Sequence, residues 1–345
     1  MFTYEELIAR YTIKSSKILQ EYSNFYQTYL KLLSINIHHQ SCAKEIIAQG
    51  KVGQLKFFES LATDKASPTD IPSIVIVPSI INKSDILDIK PSHSLCASLS
   101  KEANVYLIDW YNLSADSSLE LYIKDIIFFI EMIAKRDQQK ISLIGYCLGG
   151  NLASASYFHC SSQIEKIVLI ATPWDFSQLP YRPPNLSGLE MEFIPAGLIS
   201  LYLNQLNIEK IIDKYTYFHQ KALSEEQLDL FLRVEYWANN GLNLPITVAR
   251  VIIQELFEEN KTMLGNWQVM GKIIDASKIE VPTLVISTDN DKIVTRRSAS
   301  TITKFLPQSQ LVETSFGHVG VIISRKAKYE VWDVLSKFLL SKELV

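Results

Sequence analysis

The sequence predicts an α/β protein: a doubly wound, mostly parallel sheet with a helical cap insertion and an N-terminal helical segment. Three observations predict it. Five short runs, Ser73–Val77, Val105–Ile108, Ile141–Ile144, Lys166–Ile170 and Thr283–Ile286, are apolar at nearly every position instead of alternating. Strands of that kind are buried on both faces, as in a parallel sheet. Helical patterns such as Ser118–Ile133 and Asn151–Phe158 lie between them, and strands alternating with helices wind a sheet covered on both sides. The alternation breaks once, where about 110 residues separate Ile170 from Thr283. A structureless loop of that length is implausible in a compact domain, so this stretch reads as an insertion.

Taken in chain order, residues 1 to about 45 read as helix. Leu7, Tyr11, Ile18, Tyr22, Phe25 and Tyr29 belong to an aromatic-rich stripe with spacings of three and four. The stripe packs against the rest of the protein, or it docks a partner or an apolar particle. The expected organisation is an N-terminal segment and lead-in over 1–72, a core of 73–176 plus 279–345, and a cap over 177–278. The cap opens with Leu179-Pro-Tyr-Arg-Pro-Pro184 and continues with helical segments at Glu209–Tyr217 and Ser224–Trp237.

Composition removes several classes. With 47% hydrophobic and 21% charged residues the chain is neither disordered nor fibrous. Lys+Arg 34 against Asp+Glu 37 gives a net charge of −3, which offers no polyanion-binding surface, so no nucleic acid is expected. Four cysteines without a CxxC pair fit reduced thiols in a cytosol, not a disulfide scaffold or a structural zinc site. The start, MFTYEELIAR, lacks the basic and apolar regions of a signal peptide. The longest apolar run, from Ile74 to Ile81, is broken by Pro78 and Ser79. It is far short of the ~20 residues that span a membrane. The expected location is cytoplasmic.

The segment from Ile141 to Gly150 carries the chemistry. It reads as a buried strand, then Gly145-Tyr-Cys-Leu-Gly-Gly150, then an apolar helix. That is the strand–turn–helix context of a nucleophile elbow, with cysteine in place of serine. Gly145 and Gly149 lack Cβ atoms where the backbone passes closely. The Cys147 sulfur lies near a helix N-terminus, whose positive potential favours a thiolate. The Leu148 amide points to where an oxyanion forms. In α/β-hydrolase order the acid follows the nucleophile and histidine comes last. Of six histidines only His318, in Ser315-Phe-Gly-His-Val-Gly320, lies after the final strands. Asp289 and Asp291 both follow the Thr283–Ile286 strand. Asp291 is the choice because Ile293 and Val294 behind it anchor the loop, with Asp289 the alternative. The second oxyanion donor belongs to the loop after Val77, at Ile80 or Ile81, without any side-chain signature. No metal and no cofactor are expected.

With these residues in place, the sequence resembles the polyhydroxyalkanoate synthases, most of all the short catalytic subunit of the two-component (class III) enzymes. The resemblance rests on blocks in family order from about residue 70 to 325. They are Val105-Tyr-Leu-Ile-Asp-Trp110, the Gly145–Gly150 box, Thr172-Pro-Trp-Asp-Phe176, Phe257-Glu-Glu-Asn-Lys261, Asp291-Lys-Ile-Val294 and Gly317-His-Val-Gly320. Three departures stand out: Tyr111 where the family has glycine, Lys292 for the histidine after the acid, and Thr295-Arg296 for a Pro-Pro pair. The resemblance implies Cys147 as nucleophile, His318 as base and Asp291 as acid. It also implies an (R)-3-hydroxyacyl-CoA substrate, 3-hydroxybutyryl-CoA first. The partners it implies are a polyester granule surface, a second synthase subunit and a second copy in a homodimer. The competing readings are a cysteine-dependent α/β hydrolase (thioesterase or lactonase) and an inactive granule-associated binding protein.

Overall fold

The computed structural model describes residues 39–62, 70–111, 113–205 and 224–341. The aromatic stripe within 7–30 and the predicted helix Glu209–Tyr217 lie outside them. The helix expected up to about residue 45 does not reach the described residues 39–45. Residues 39–43 carry no regular structure, and the chain then forms an antiparallel hairpin of β1 (Glu45–Gln49) and β2 (Gly53–Phe58). The alternation of Gln54, Leu55, Lys56 and Phe57 is the local cause, since a period of two buries one face of a strand. The hairpin turn is held from a distance. The Asp125 carboxylate accepts from the amides of Lys51 at 2.9 Å, Val52 at 2.7 Å and Gly53 at 2.9 Å.

The following strands are β3 (Ser73–Val77), β4 (Asn104–Trp110), β5 (Ile141–Tyr146) and β6 (Ile164–Ile170). Four short strands of the long insertion pair two by two: β7 (Phe193–Ile194) with β8 (Leu244–Pro245), and β9 (Trp267–Val269) with β10 (Lys272–Ile274). Then come β11 (Thr283–Thr288) and β12 (Ser309–Thr314). The main sheet has eight strands in the order β1-β2-β4-β3-β5-β6-β11-β12. It is parallel from β4 to β12 and antiparallel only where β1 meets β2 and β2 meets β4. Every residue of β3, β5 and β11 is buried, which is why their sequences are apolar without alternation. From β3 the chain steps out to β4 and returns past β3 to β5. The strand order therefore reverses between β3 and β5, and the crevice at the carboxyl ends of such strands is where open α/β sheets bind ligands.

Helix α1 (Leu119–Asp137) covers one face, burying Tyr122, Ile126, Phe129 and Ile133 along one stripe. Helix α2 (Leu148–Cys160) is buried almost throughout. Its small residues Gly149, Gly150, Ala153 and Ser154 let its backbone lie close to the sheet. The insertion contributes α3 (Ala196–Gln205), α4 (Glu225–Asn239) and α5 (Ile246–Val251), the last running into a π-helical turn over Ile252–Glu258. Helix α4 starts with a reciprocal capping box between Ser224 and Gln227. Among the described residues no helix is long and apolar enough to cross a membrane.

Candidate active site

Strand β5 delivers Cys147 into the bend before α2. The residue has φ 53° and ψ −131°, a conformation that costs an L-residue of order 1–3 kcal/mol and survives only where its surroundings over-determine it. The surroundings do so here. The Cys147 amide donates to the Ile170 carbonyl at 2.9 Å, and its carbonyl accepts from the Gly150 amide at 2.9 Å. A Cβ on Gly149 would collide with the carbonyls of Val77 and Pro78, and one on Gly150 with the Thr172 side chain. The glycines of the box thus bring the first turn of α2 against the ends of β3 and β6. Asn151 fastens the same turn from its other side, donating to the Pro173 carbonyl at 2.7 Å.

The structure brings Cys147, Asp291 and His318 together. One Asp291 oxygen accepts from the amides of Ile293 and Val294, both at 2.8 Å. The other lies 2.7 Å from His318 Nδ1. The Asp291 side chain is fully buried, while Asp289 points outward and pairs with Arg296 at 3.2 Å. The His318 side chain is one-tenth exposed, lines the same cavity as Cys147, and feels the charge of its sulfur. Burial opposes a charge on the imidazole. The Asp291 carboxylate and the Cys147 sulfur outweigh it and hold the histidine pKa well above its ordinary value. The carboxylate fixes the ring edge through Nδ1 and leaves Nε2 available for a second partner.

The loop after β3 divides its residues. Ser79, Ile81 and Asn82 line the same cavity as Cys147, whereas Ile80 is fully buried beside Leu119, Leu148 and Asn151. The Ile81 amide lies 3.4 Å from the Ser79 hydroxyl, and its carbonyl accepts from Leu242 of the insertion at 3.2 Å. The Leu148 amide opens helix α2, directly after the sulfur.

Above the sulfur lies a cavity of about 620 Å³ whose wall comes from both parts of the chain. The core supplies Tyr146, Cys147 and His318, and the insertion adds apolar side chains such as Ile199, Trp237 and Phe257. Two of the blocks quoted from the sequence meet beneath this wall. Asn260, in a left-handed conformation at φ 49°, accepts from the Phe176 amide and donates to Asp175, both at 2.9 Å. Thr262 donates to the Trp174 carbonyl at 2.6 Å. The rings of Phe176 and Phe257 then pack edge to face, 4.9 Å apart. The departures from the family pattern have structural places too. Thr295 caps the helix Arg296–Ser300 and its hydroxyl donates to the Gln178 carbonyl at 3.0 Å, while Lys292 is exposed.

The sequence model of the alpha/beta hydrolase fold matches residues 72–323. The chain belongs to the alpha/beta hydrolase fold family. Within that family eight of its curated relatives carry one name, poly(3-hydroxyalkanoate) polymerase subunit PhaC. The protein of Synechocystis sp. is 26% identical over 304 residues, covering 80% of this chain and 79% of its own. The Haloferax mediterranei protein is 22% identical over 294 residues, covering 79% of this chain and 59% of its own. The Allochromatium vinosum protein is 25% identical, with 77% and 80% covered. The chain thus spans about three-fifths to four-fifths of the length of these relatives. Solved alpha/beta hydrolases share the fold alone. They include Est1E of Butyrivibrio proteoclasticus, with TM-score 0.52, 12% identity, and 84% of this chain and 95% of its own covered. The monoacylglycerol lipase of Paleococcus ferrophilus has TM-score 0.51 and 14% identity, with 84% and 98% covered.

Among the described residues no group of three or more His, Cys, Asp or Glu side chains is gathered to hold a metal ion. The arrangement is suited to covalent acyl chemistry: a thiol at a helix N-terminus, an imidazole on the same cavity wall, and a buried carboxylate behind the imidazole. Sequence reasoning gave no role to Tyr146 or Tyr181, which both line the cavity. Burial, reinforced by the charges of Cys147 and Asp291, pushes both phenols upward, so they remain protonated hydroxyls.

Proposed function

We propose that this alpha/beta hydrolase is the catalytic subunit of a polyhydroxyalkanoate synthase, an acyltransferase that polymerises (R)-3-hydroxyacyl-CoA and releases CoA. The observation that carries the reading is a cysteine at the elbow, joined to His318 and Asp291, in a chain whose relatives are named as poly(3-hydroxyalkanoate) polymerase subunits.

His318 takes the Cys147 proton, and the thiolate attacks the thioester carbonyl. The amide of Leu148 and one from the loop at Ile80–Ile81, with Ile81 on the cavity side, receive the negative oxygen. The carbonyl re-forms, the bond to the CoA sulfur breaks, and the imidazolium returns its proton to that sulfur. The acyl group now sits on Cys147 as a thioester, as activated as it was on CoA. A serine ester would forfeit that activation, which accounts for the sulfur at this elbow. The 3-hydroxyl of another acyl group then gives its proton to His318 and attacks the Cys147 thioester. An ester forms, the acyl–sulfur bond breaks, and Cys147 recovers its proton. Asp291 holds the imidazole in the required tautomer throughout. The apolar wall built by the insertion keeps water from the thioester, and its opening admits substrate.

The granule surface and a second synthase subunit are the partners that fit a product insoluble in water. Incubation with 3-hydroxybutyryl-CoA is the test. We expect CoA release with polymer, and loss of at least about 10³-fold in Cys147→Ala with an unchanged melting temperature. Free hydroxy acid without polymer would make the chain a thioesterase, and undiminished release from Cys147→Ala would remove Cys147 from the reaction.

A further inference from the structure

Tyr146 ends β5 one residue before the sulfur and is almost wholly buried. It touches His318 twice. Its hydroxyl donates to the His318 carbonyl at 3.0 Å, and its ring stacks on the imidazole with centroids 5.3 Å apart and planes 28° apart. The contact with Asp291 at 2.7 Å pins only one edge of the imidazole. Rotation about that Nδ1···Oδ2 line would swing Nε2 away from the sulfur. A flat ring against the imidazole face blocks this rotation, and a hydroxyl on the backbone carbonyl stops the residue sliding. Because burial keeps the phenol protonated, it serves as a steady donor to that carbonyl.

We propose that Tyr146 is a positioning residue for His318, clamping the imidazole by face and by backbone so that Nε2 stays aligned with the sulfur of Cys147. The inference rests on the Cys147–His318 reading above and adds a residue to it. The strand that presents the nucleophile thereby also sets the base, which arrives 172 positions later in the chain. A misplacement of about 1 Å at such a pair costs roughly 10²-fold in rate.

The test compares wild type with Tyr146→Phe, which keeps the ring and loses the hydroxyl, and with Tyr146→Leu, which loses both. Alkylation of Cys147 by iodoacetamide is followed against pH and mapped by mass spectrometry, beside CoA release from 3-hydroxybutyryl-CoA. The other thiols do not interfere. Burial, aided by Asp88, pushes Cys42 up to about 11, burial pushes Cys160 up to about 12, and Cys96 is fully buried. In Tyr146→Phe the rate of Cys147 alkylation at neutral pH should fall roughly tenfold. Its kcat should fall roughly tenfold or more with KM unchanged, and Tyr146→Leu should move both further. A folded Tyr146→Phe protein whose alkylation profile and kcat superimpose on wild type overturns the proposal. If Tyr146→Leu does not fold, Tyr146→Phe alone decides. If wild type releases no CoA, the polymerase reading fails while the alkylation profile still judges Tyr146.

Discussion

At the Cys147 bend Gly149 lies so close to the Val77 carbonyl that no Cβ fits, whereas helix α4 (Glu225–Asn239), across the cavity, fully buries only Glu235 and Trp237. The first region is fixed by backbone against backbone. The second is a wall of side chains held to the core by separate polar contacts. These include Trp237 Nε1 donating to the Lys83 carbonyl at 2.7 Å, the ion pair of Lys90 with Asp229 at 2.8 Å, and Thr247 donating to the Ser117 carbonyl at 2.7 Å. Chemistry that tolerates no displacement sits in the rigid region. The cavity beside Cys147 is bounded by the region that can be loosened one contact at a time.

That contrast can be broken from either side. The largest effect belongs to the rigid region. Asp291→Asn still accepts the amides of Ile293 and Val294 but presents an NH₂ to Nδ1, forcing the wrong imidazole tautomer. Its kcat should drop about 10²- to 10⁴-fold with little change in melting temperature. Gly149→Ala comes next. The added methyl must displace the Val77 and Pro78 backbone, costing about 1–3 kcal/mol in urea unfolding and reducing turnover with it. A neutral result there would mean that the bend is softer than its packing implies.

Contacts at the seam should matter less to chemistry and more to access. Trp237→Phe leaves the Lys83 carbonyl without its donor, costing about 1–2 kcal/mol. KM should rise more than kcat falls, measured by initial rates against 3-hydroxybutyryl-CoA. His93 gives the seam a pH signature. It is buried, and its pKa is lowered from 6.5 to about 4 by burial, with Lys328, Lys90 and Arg325 adding to the effect and Glu226 opposing it. Above pH 6.5 the residue is neutral both folded and unfolded. As pH falls toward 4 the unfolded chain binds a proton that the folded chain refuses, so stability declines over that window. In His93→Gln the decline between pH 7 and pH 5, read by urea unfolding, should be shallower than in wild type. Parallel curves would show that His93 does not titrate as its surroundings require.

The same contrast governs what could be read from the sequence. Strand β3 runs over Ser73–Val77, the span its apolar residues mark, because burial on both faces leaves no polar position to blur it. The edge strand β12 escaped notice because Gln310, Leu311 and Glu313 are partly or fully exposed and interrupt the apolar pattern. The hairpin of β1 and β2 was missed because three of the five β1 residues are exposed and none is buried, and its turn is held by Asp125, more than seventy residues away. At the site, the glycines around Cys147 and the chain order of Asp291 and His318 are visible because backbone geometry demands particular residue types. The choice of Asp291 over Asp289 rested on the apolar side chains of Ile293 and Val294, whereas it is the amides of these two residues that the carboxylate meets. The loop donor left no trace because a backbone amide has no side-chain signature, and the contacts of Tyr146 left none because they reach a residue 172 positions away.

The central claim is that the acyl group passes through the sulfur of Cys147. Wild-type protein mixed with 3-hydroxybutyryl-CoA, quenched in acid and digested, is examined by mass spectrometry. The account predicts one or more 3-hydroxybutyryl groups on the Cys147 peptide, removable by hydroxylamine and absent from Cys147→Ala. CoA release at full rate with an unmodified Cys147 peptide at every quench time would contradict it.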